Sequence, residues 1–311
     1  MSVIIPTHNR PDLLRNTIKS VLEQNFENYE IIVVDNACSQ DTEKIARSFA
    51  IDLHQRSVGY ICEPHPGLHN ARHAGAKAAK GDILLYIDDD VVADKDLLIE
   101  TFKYYEDPSV GCVGGKILPK WEIEPPDWIR SFPKWYLSIL DDEDGPKEVQ
   151  WLYGCNFSIR RELLFNLGGF NPDAFGDRKL WWYRGDGEIG LLRKVHHAGK
   201  KVLYNPKAIV WHFIPCARMT AEYFEDRAFR SGIESSYSKY RYSKEAFNAV
   251  KLTFHASVFG IYWGAHTILR LRDNIKHKID ASYNKARCLY ELRLIFDKDL
   301  RRTIREDRWL K

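Results

Sequence analysis

Short apolar runs alternate with amphipathic segments over the first 117 residues of the chain. The run SVIIP leads into PDLLRNTIKSVLEQ, where Pro11 takes a favoured first helical position and apolar residues recur at helical spacing. EIIVVDN, DILLYID and VGCVGGKI are further apolar runs, and DTEKIARSFA, GLHNARHAGAKAAKG and DKDLLIETFKYY are helical patterns. Because the apolar runs lack polar alternation and helices separate them, the pattern predicts an α/β fold with a mostly parallel sheet flanked by helices.

The pattern changes after residue 117. Residues 118–150 are rich in proline and tryptophan, which predicts an irregular insertion over an edge of the sheet. Strand and helix patterns return in GCNFSIRRELLFNLGGFN, GDGEIGLLRKVHHAGK and KVLYNPKAIVWH. From Arg218 onward the pattern is helical, so we expect a C-terminal helical extension.

Composition narrows the class of protein. The net charge of the 311 residues is only +3, which gives no sign of nucleic-acid binding, although residues from Lys251 onward carry 14 Lys and Arg against 7 Asp and Glu. The six cysteines show no metal-type spacing, so we expect reduced, mostly buried thiols of a cytosolic chain. The start shows no signal-peptide pattern, and no apolar run reaches the roughly 18 residues that span a bilayer, so a cytoplasmic protein is expected.

Three adjacent carboxylates end the apolar run ILLYI. Asp88, Asp89 and Asp90 follow five apolar residues and precede Val91 and Val92. A solvated turn is the ordinary interpretation of an acidic cluster, but the carboxyl end of a parallel strand is where ligands bind in such sheets. Carboxylates gathered there are stabilised by a hard cation such as Mg²⁺ or Mn²⁺, which completes its shell with substrate phosphates. The triplet therefore predicts a metal and nucleoside-diphosphate site.

Polar residues at other strand ends agree with a nucleotide site. Asp35 and Asn36 follow IIVV and offer hydrogen bonds to a nucleobase edge, and PTHNR follows the first strand just before a helix. Arg72 lies early in a helix and can pair a phosphate, although an arginine on an amphipathic helix is often only solvated. The expected donor-binding residues are Pro6, Thr7, Asn9, Arg10, Asp35, Asn36, Asn70, Arg72, Asp88 and Asp89.

Five segments resemble the motifs of family 2 glycosyltransferases, which have the GT-A fold, in order and in spacing. They are SVIIPTHNRPDLLRNTIKSVLEQ, EIIVVDNACSQDT, PGLHNARHAGAKAAKGDILLYIDDDVV, CNFSIRRELLFNLGGFN and RGDGEIGLLRKVHHAGKKVLYNPKAIVWH. The resemblance implies a Rossmann-like sheet, a nucleoside-diphosphate sugar donor (a UDP-sugar most of all), a divalent cation and inversion at the anomeric carbon. It implies that Asp35 lies near the base, Asp88 near the ribose and on the metal, and Asp90 and His212 on the metal. Without the resemblance, His212 is an ordinary histidine at a strand end.

The same resemblance implies a catalytic base in RGDGEIG. The family pattern has a Glu-Asp pair here, whereas this chain is one acid short. Aligning DGEIG with the family's D-x-E-L-G makes Asp186 the base and Glu188 a second catalytic carboxylate, which either supports the site from behind or binds the acceptor. In a second alignment, shifted by one residue, Gly187 would stand where the base belongs. In a third interpretation Asp186 has no catalytic role and is only a helix N-cap.

Acceptor residues are harder to identify. Trp181 and Trp182 in KLWWYRG offer aromatic faces for sugar stacking, and Asn156 in GCNFS matches the family's acceptor-side loop. Large aromatics near a sheet edge also serve as core or lid packing. We expect all three in acceptor binding.

The C-terminal segment KLTFHASVFGIYWGAHTILRLRDNIKHKI combines a long apolar stretch with basic residues. Such a helix can lie in a membrane interface near a lipid-linked acceptor, or it can pack on the domain or a second subunit. With the motifs, this gives residues 1–217 as a glycosyltransferase domain, with a donor half (1–117) and an acceptor half (118–217), and 218–311 as a helical region.

The sequence therefore predicts a metal-dependent, inverting, non-processive glycosyltransferase that acts on a glycan or lipid-linked acceptor at the cytoplasmic side. A nucleotidyltransferase that makes a sugar nucleotide is a weaker alternative, because IIPTHNRPD lacks the expected glycine-rich phosphate loop. A non-catalytic sugar-nucleotide-binding relative is the third hypothesis, and the shortened RGD is its only support.

Overall fold

The computed structural model describes residues 1–49, 58–171, 186–243, 247–269, 274–306 and 309–310. The strands are β1 (Ser2–Thr7), β2 (Glu30–Asp35), β3 (Val58–Cys62), β4 (Ile83–Tyr86), β5 (Val91–Ala93), β6 (Val110–Trp121), β7 (Lys147–Glu148), β8 (Phe157–Arg160) and β9 (Lys201–Ile214). The helices are α1 (Pro11–Leu22), α2 (Gln40–Phe49), α3 (Leu68–Ala78), α4 (Leu97–Phe102), α5 (Asp127–Arg130), α6 (Arg161–Asn166), α7 (Gly187–His197), α8 (Ala221–Arg241), α9 (Ala249–Leu269), α10 (Ile275–Phe296) and α11 (Lys298–Thr303).

The described strands form one sheet in the order β3-β2-β1-β4-β8-β6-β9-β5, and β7 pairs with β9. Strands β3, β2, β1 and β4 are parallel, as the alternating pattern predicts. Strand β8 runs antiparallel to both β4 and β6, because the chain turns back at the end of β6. The predicted α/β fold is confirmed. The half of the sheet formed by β8, β6, β9 and β5 contains both parallel and antiparallel pairs.

Each face of the sheet is covered by helices. On β1, Val3 and Ile5 point into a core shared with α1, α2 and α4, whereas Ile4 points into a second core with α3, α6 and α7. Both sets are fully buried, which explains why the strand is apolar at every position. The polar residues at the strand ends are therefore carried by a rigid, two-sided core.

A disulfide joins Cys38, just after β2, to Cys62 at the end of β3, with the Cα atoms 5.0 Å apart. The expectation of six reduced thiols is wrong for this pair, and the cysteines no longer argue for a reducing compartment. The parallel pairing of Asp35 with Cys62 places Cys38, three residues after Asp35, close to Cys62 across a sequence separation of 24. The remaining cysteines are free thiols, three of them buried.

The aromatic insertion packs against the C-terminal helices. Trp128, Phe132 and Tyr136 surround Phe224 of α8, with ring centroids 5.0 to 5.5 Å from it. The insertion therefore links the end of β6 to α8 through a separate apolar cluster.

Helix α9 packs on α10, which in turn packs on α8. Its buried residues are Leu252 and Ala256, whereas Phe254, Ile261 and Ile268 on another face are 65 to 72% exposed. No helix in the described part of the chain is both long and apolar enough to cross a membrane. The packing alternative thus accounts for one face of α9, and an apolar face stays open to solvent.

Candidate active site

The acidic triplet lies directly after β4, beside the carboxyl ends of β1 and β2. The side chain of Asp88 is 28% exposed, whereas Asp89 and Asp90 are 0% and 5% exposed. The solvated-turn interpretation therefore does not hold, and each buried carboxylate must be compensated by specific partners.

Asp89 is held by the loop after β1. Its Oδ2 accepts hydrogen bonds from Thr7 Oγ1 at 2.6 Å and from Arg10 Nε at 3.1 Å, and Arg10 also pairs with its Oδ1. Burial raises the pKa of Asp89 to about 7 although Arg10 and Thr7 favour the charged form. Thr7, Arg10 and Asp89 therefore tie the first loop to the triplet.

Asp90 lies among three cationic or hydrogen-bonding groups. Its Oδ2 accepts from Arg10 Nη1 at 2.9 Å and Arg218 Nη2 at 3.1 Å. His212 Nε2 lies 3.7 Å from Asp90 Oδ1, and its Nδ1 is 3.1 Å from the Leu137 carbonyl oxygen. Burial opposes ionisation of Asp90, but His212 and the two arginines outweigh it and hold its pKa below the ordinary value.

These groups fit a divalent cation. Asp90 Oδ1 is buried with no hydrogen-bond partner among the described residues. A proton on His212 Nδ1, donated to the Leu137 carbonyl oxygen, leaves the Nε2 lone pair to accept from Arg218 Nη1 at 2.9 Å, with Asp90 Oδ1 3.7 Å away. A ligating histidine has the same protonation, with one ring nitrogen donating to a carbonyl and the other free to bind the metal. Carboxylate and imidazole ligands suit Mn²⁺.

The predicted ligands do not yet converge. The ligand atoms of Asp88, Asp90 and His212 do not all lie within 4.8 Å of one another, and the group in the described residues that meets this spacing is His266, His277 and Asp280 on α9 and α10. Arg218 donates to both His212 and Asp90, so a cation would take over contacts that this arginine now makes.

Arg72 joins the triplet to α7. The guanidinium is 1% exposed and donates to Glu188 Oε1 at 2.6 Å and to Asp88 Oδ1 at 3.2 Å. Burial opposes ionisation of Glu188, yet Arg72 and His69 lower its pKa to about 2. Gly154 packs so closely that a Cβ there would collide with this pair. Arg72 is thus a buried bridge between two carboxylates, unlike a solvated helix residue.

Asp186 precedes α7 but its side chain caps nothing. The carboxylate is 1% exposed, and it accepts from Asn171 Nδ2 at 2.8 Å and from Tyr242 Oη at 2.6 Å. Gly190 faces it one turn along α7, where a Cβ would collide with the Asp186 and Asn171 side chains. Asp186 therefore occupies the N-cap position, but its side chain makes no capping hydrogen bond. The carboxylate is instead held by Asn171 and Tyr242.

Asp35 is fully buried at the end of β2. Its carboxylate accepts from the backbone N–H groups of Ala37 and Ser39 at 2.9 and 2.7 Å and from Tyr60 Oη at 3.1 Å. These bonds shape the turn that follows β2, at the carboxyl end of the parallel strands.

Asn36 and Asn70 bind backbone groups of one loop. Asn36 Nδ2 donates to the carbonyls of Glu63 and His65 at 2.9 and 2.7 Å, and its Oδ1 accepts from the Gly67 N–H. Asn70 is exposed and donates to the Pro66 carbonyl at 2.9 Å. Asn36 is therefore already saturated by the loop before α3.

Pro6 and Asn9 contribute backbone geometry. Pro6 is buried in β1 opposite Val34. Asn9 is exposed with a φ of 53°, in the left-handed region that asparagine tolerates. They shape the turn from β1 into α1.

The predicted acceptor residues gain little support. Asn156 is 1% exposed and donates to the carbonyls of Lys116 and Ala208 at 3.2 and 2.9 Å, so it holds β6 to β9 inside the sheet. Trp181 and Trp182 lie outside the described residues.

Two adjoining clefts open beside these residues. A narrow one of about 230 Å³ is lined by Arg72, Asp88, Asp186 and Glu188. A wide one of about 950 Å³ continues from it over α7, α8 and α10. Residues common to both are Trp151, Tyr153, Ile189, Arg227 and Glu234.

Sequence reasoning missed several residues of the site. Arg218 on Asp90 and Tyr242 on Asp186 stand in no recognisable motif, whereas His69 beside Glu188 and Asn171 on Asp186 lie in two of the quoted motifs but were given no role. Tyr242 is 56 residues from Asp186 in the chain, so only the packing of α8 brings them together. Arg218, six residues after His212, had a local signal of its own, because it is a cation close to a predicted metal ligand.

Known structures share this architecture. The chain superposes on a mannosyltransferase from Pyrobaculum calidifontis, solved with GDP-Man and Mn²⁺, with a TM-score of 0.60 and 19% identity over 96% of this chain and 87% of that one. It also resembles GalNAc-T7, solved with UDP, GalNAc and Mn²⁺, with a TM-score of 0.54 and 22% identity over 68% and 43% of the two chains. The fold is that of a GT-A glycosyltransferase.

Sequence comparison gives the family. The model of glycosyl transferase family 2 matches residues 2–168. The chain is 28% identical over 242 residues to the glucosyl-dolichyl phosphate glucuronosyltransferase of Haloferax volcanii, covering 75% of each, and 25% identical over 238 residues to the succinoglycan biosynthesis protein ExoM of Rhizobium meliloti, covering 73% and 71%. The chain belongs to glycosyl transferase family 2 and is a glycosyltransferase.

Proposed function

We propose that this protein is a metal-dependent, inverting, non-processive transferase that moves a sugar from a nucleoside diphosphate, a UDP-sugar first of all, to a glycan or lipid-linked acceptor. Residues 1–217 form its catalytic domain and 218–311 its helical region. The observation that carries the proposal is the buried Asp186 carboxylate, which does not cap α7 and lines a cleft that also contains Asp88 and Glu188. The names of the Haloferax and Rhizobium relatives favour lipid-linked or polysaccharide acceptors.

The residues divide the chemistry. Asp186 takes the proton from the acceptor hydroxyl as it attacks the anomeric carbon. Asn171 and Tyr242 hold its carboxylate in one orientation. Asp88, Asp90 and His212 would hold Mn²⁺ or Mg²⁺, which when bound offsets charge on the leaving diphosphate. Arg72 holds Asp88 in place on the donor side and is itself held by Glu188 on the acceptor side.

The decisive experiment replaces the base. With a donor identified by thermal-shift screening of UDP-, GDP- and dTDP-sugars in Mn²⁺, Asp186→Asn should lower kcat by about 10³-fold or more while the donor Kd stays within twofold. NMR of the product should show an inverted anomer. Unchanged transfer by Asp186→Asn would refute the assignment of the base, and a retained anomer would refute inversion.

We also propose that the exposed apolar face of α9 gives peripheral contact with a membrane. Phe254, Ile261 and Ile268 share that face, and the chain from Lys251 onward has twice as many basic as acidic residues. Wild type should sediment with vesicles of 30% anionic lipid, whereas Phe254→Ser/Ile261→Ser should stay in the supernatant with an unchanged Tm. Equal sedimentation of both proteins would contradict this contact.

A further inference from the structure

The wide cleft beside Asp186 has an unusual charge. Four of its lining residues are cationic, namely Arg193, Arg227, Lys239 and Arg287, and one, Glu234, is acidic. Its walls come from the insertion, α7, α8 and α10. None of the residues that we propose for donor binding lines it, so the charge excess belongs to a different ligand.

Three of these cations have no carboxylate partner in the part of the chain that the structure describes. Within the described ranges, no carboxylate lies within 4.0 Å of the guanidinium nitrogens of Arg193, Arg227 or Arg287. The buried Nε atoms of Arg227 and Arg287 have no hydrogen-bond partner there. Lys239, by contrast, pairs with Glu291 at 3.6 Å. Unpaired buried donors cost free energy, and a guanidinium is matched best by the two oxygens of a phosphate or carboxylate.

Aromatic rings line the same two clefts as Asp186 and the arginines. Trp151 is 43% exposed and its ring meets Tyr153 edge to face at 4.9 Å, and both side chains line the narrow cleft as well. Trp135 is 37% exposed and also lines the wide cleft. Exposed aromatic faces that flank a base are suited to a sugar ring, with its hydroxyl towards Asp186.

Arg287, one of the arginines that line the wide cleft, contacts α9. The Arg287 guanidinium lies 3.8 Å from the ring centroid of Phe259 on α9 and 5.6 Å from that of Tyr283. Arg287 therefore connects the wall of the wide cleft to an aromatic side chain of α9, whereas Arg227 also lines the narrow cleft that contains Asp186.

We propose that the wide cleft binds an acceptor sugar that carries a phosphate or diphosphate group, which Arg227 and Arg287 hold with help from Arg193. The proposal rests on the transferase function proposed above and adds the chemical class of the acceptor. The anion can come from a polyprenyl phosphate or from a soluble sugar phosphate, and the charge recognised is the same.

The binding test uses farnesyl diphosphate, farnesol and inorganic pyrophosphate as probes, in EDTA so that no metal–diphosphate complex forms at Asp90. Tryptophan fluorescence reports binding, because Trp135 and Trp151 line the cleft. Farnesyl diphosphate should bind, and Arg227→Gln/Arg287→Gln should weaken it roughly tenfold or more. If pyrophosphate binds as tightly as farnesyl diphosphate, the acceptor is a soluble sugar phosphate. If pyrophosphate binds more weakly than farnesyl diphosphate, the acceptor is lipid-linked.

Arg230→Gln is the matched control. Arg230 is on α8 with Arg227, but its side chain is 53% exposed and pairs with Asp226 at 2.7 Å, so farnesyl diphosphate binding should be unchanged. Arg227→Lys/Arg287→Lys should recover part of the affinity, which distinguishes lost charge from misfolding, and thermal unfolding checks each variant. Equal affinity of wild type and the glutamine double variant, or farnesol binding as tightly as farnesyl diphosphate, would overturn the proposal.

Donor hydrolysis by wild type separates the two proposals. Arginine-dependent binding without hydrolysis of any nucleotide sugar supports the anion site and contradicts the proposed use of a nucleotide-sugar donor. Hydrolysis with arginine-independent binding removes only the acceptor class.

Discussion

Asp186 shows how one side chain depends on distant donors. Its carboxylate is held by Asn171 from one side and by Tyr242, at the end of α8, from the other. A catalytic carboxylate that is held in one orientation loses less freedom in the transition state. The helical region therefore contacts Asp186 through the phenol of Tyr242.

Tyr242→Phe tests that contact. Losing the hydrogen bond from the Tyr242 hydroxyl should lower kcat about tenfold, which is about 1.4 kcal/mol. The KM for the sugar donor and the Tm should stay close to wild type. Tyr104→Phe, which lines neither cleft, is the control and should behave as wild type. A fall in Tm with a proportionate loss of kcat and donor binding would instead mean that Tyr242 only supports the fold.

Gly190 matters for the space that it leaves. A methyl group there collides with Asp186 and Asn171, whereas one at Gly264 on α9 meets no atom within 4 Å. We expect Gly190→Ala to reduce transfer at least tenfold by displacing the base. Gly264→Ala should keep full activity, and its Tm should not fall, because alanine favours helix. Full activity in Gly190→Ala would show that the pair tolerates displacement.

At the scale of elements, helix α3 is fixed by a neutral histidine. His73 Nε2 accepts from the Phe170 N–H at 2.9 Å, which requires a deprotonated nitrogen. Burial lowers the pKa of His73 to about 3, and His69, Lys77 and Lys194 add to this. The bond thus links α3 to the segment after α6.

The pH dependence follows from this pKa. Between pH 3 and 6.5 the unfolded chain binds the proton and the folded one does not, so stability rises with pH in that window and is lost on acidification. The free energy of unfolding should fall by about 1 kcal/mol from pH 7.5 to 5.5 through His73. Urea titrations at several pH values give the free energy of unfolding as a function of pH. Its slope against pH should be reduced in His73→Gln and unchanged in His197→Gln, which alters an exposed histidine. Identical slopes in all three proteins would contradict the assignment.

On the scale of the whole molecule, the disulfide closes the half of the sheet that carries the acids. It connects the ends of β2 and β3 across a separation of 24 residues, next to Asp35. A covalent link of this length restricts the unfolded chain and gives about 3 kcal/mol in the chain-entropy model.

Cys38→Ser/Cys62→Ser should therefore lower the free energy of unfolding by about 2 to 4 kcal/mol in guanidinium titrations. Dithiothreitol should reduce the stability of wild type to that of the variant. Cys216→Ser, which removes an exposed free thiol, should change neither value. A wild type that is insensitive to dithiothreitol would show that the link adds no stability.

The sequence by itself determined the parallel half of the sheet and the acids at its edge. Apolar runs such as ILLYI have one stable position, a strand covered on both faces, and the following carboxylates must then lie at its end. Local periodicity carries this information because neighbouring residues alone decide it. Asp35, Asp88 and Asp186 could be placed near strand or helix ends for the same reason.

Only the tertiary structure decided the partners of those acids. The disulfide, the bridge from Arg72 to Glu188, and the contacts of Arg218 and Tyr242 join residues 24 to 128 positions apart. No local pattern encodes such pairs, because they depend on which helices and strands the sheet order makes neighbours. Asn156 illustrates the converse, since a residue chosen from a motif is used by the fold to join β6 and β9. The pattern of the chain fixes where polar groups emerge, and packing fixes what each of them meets.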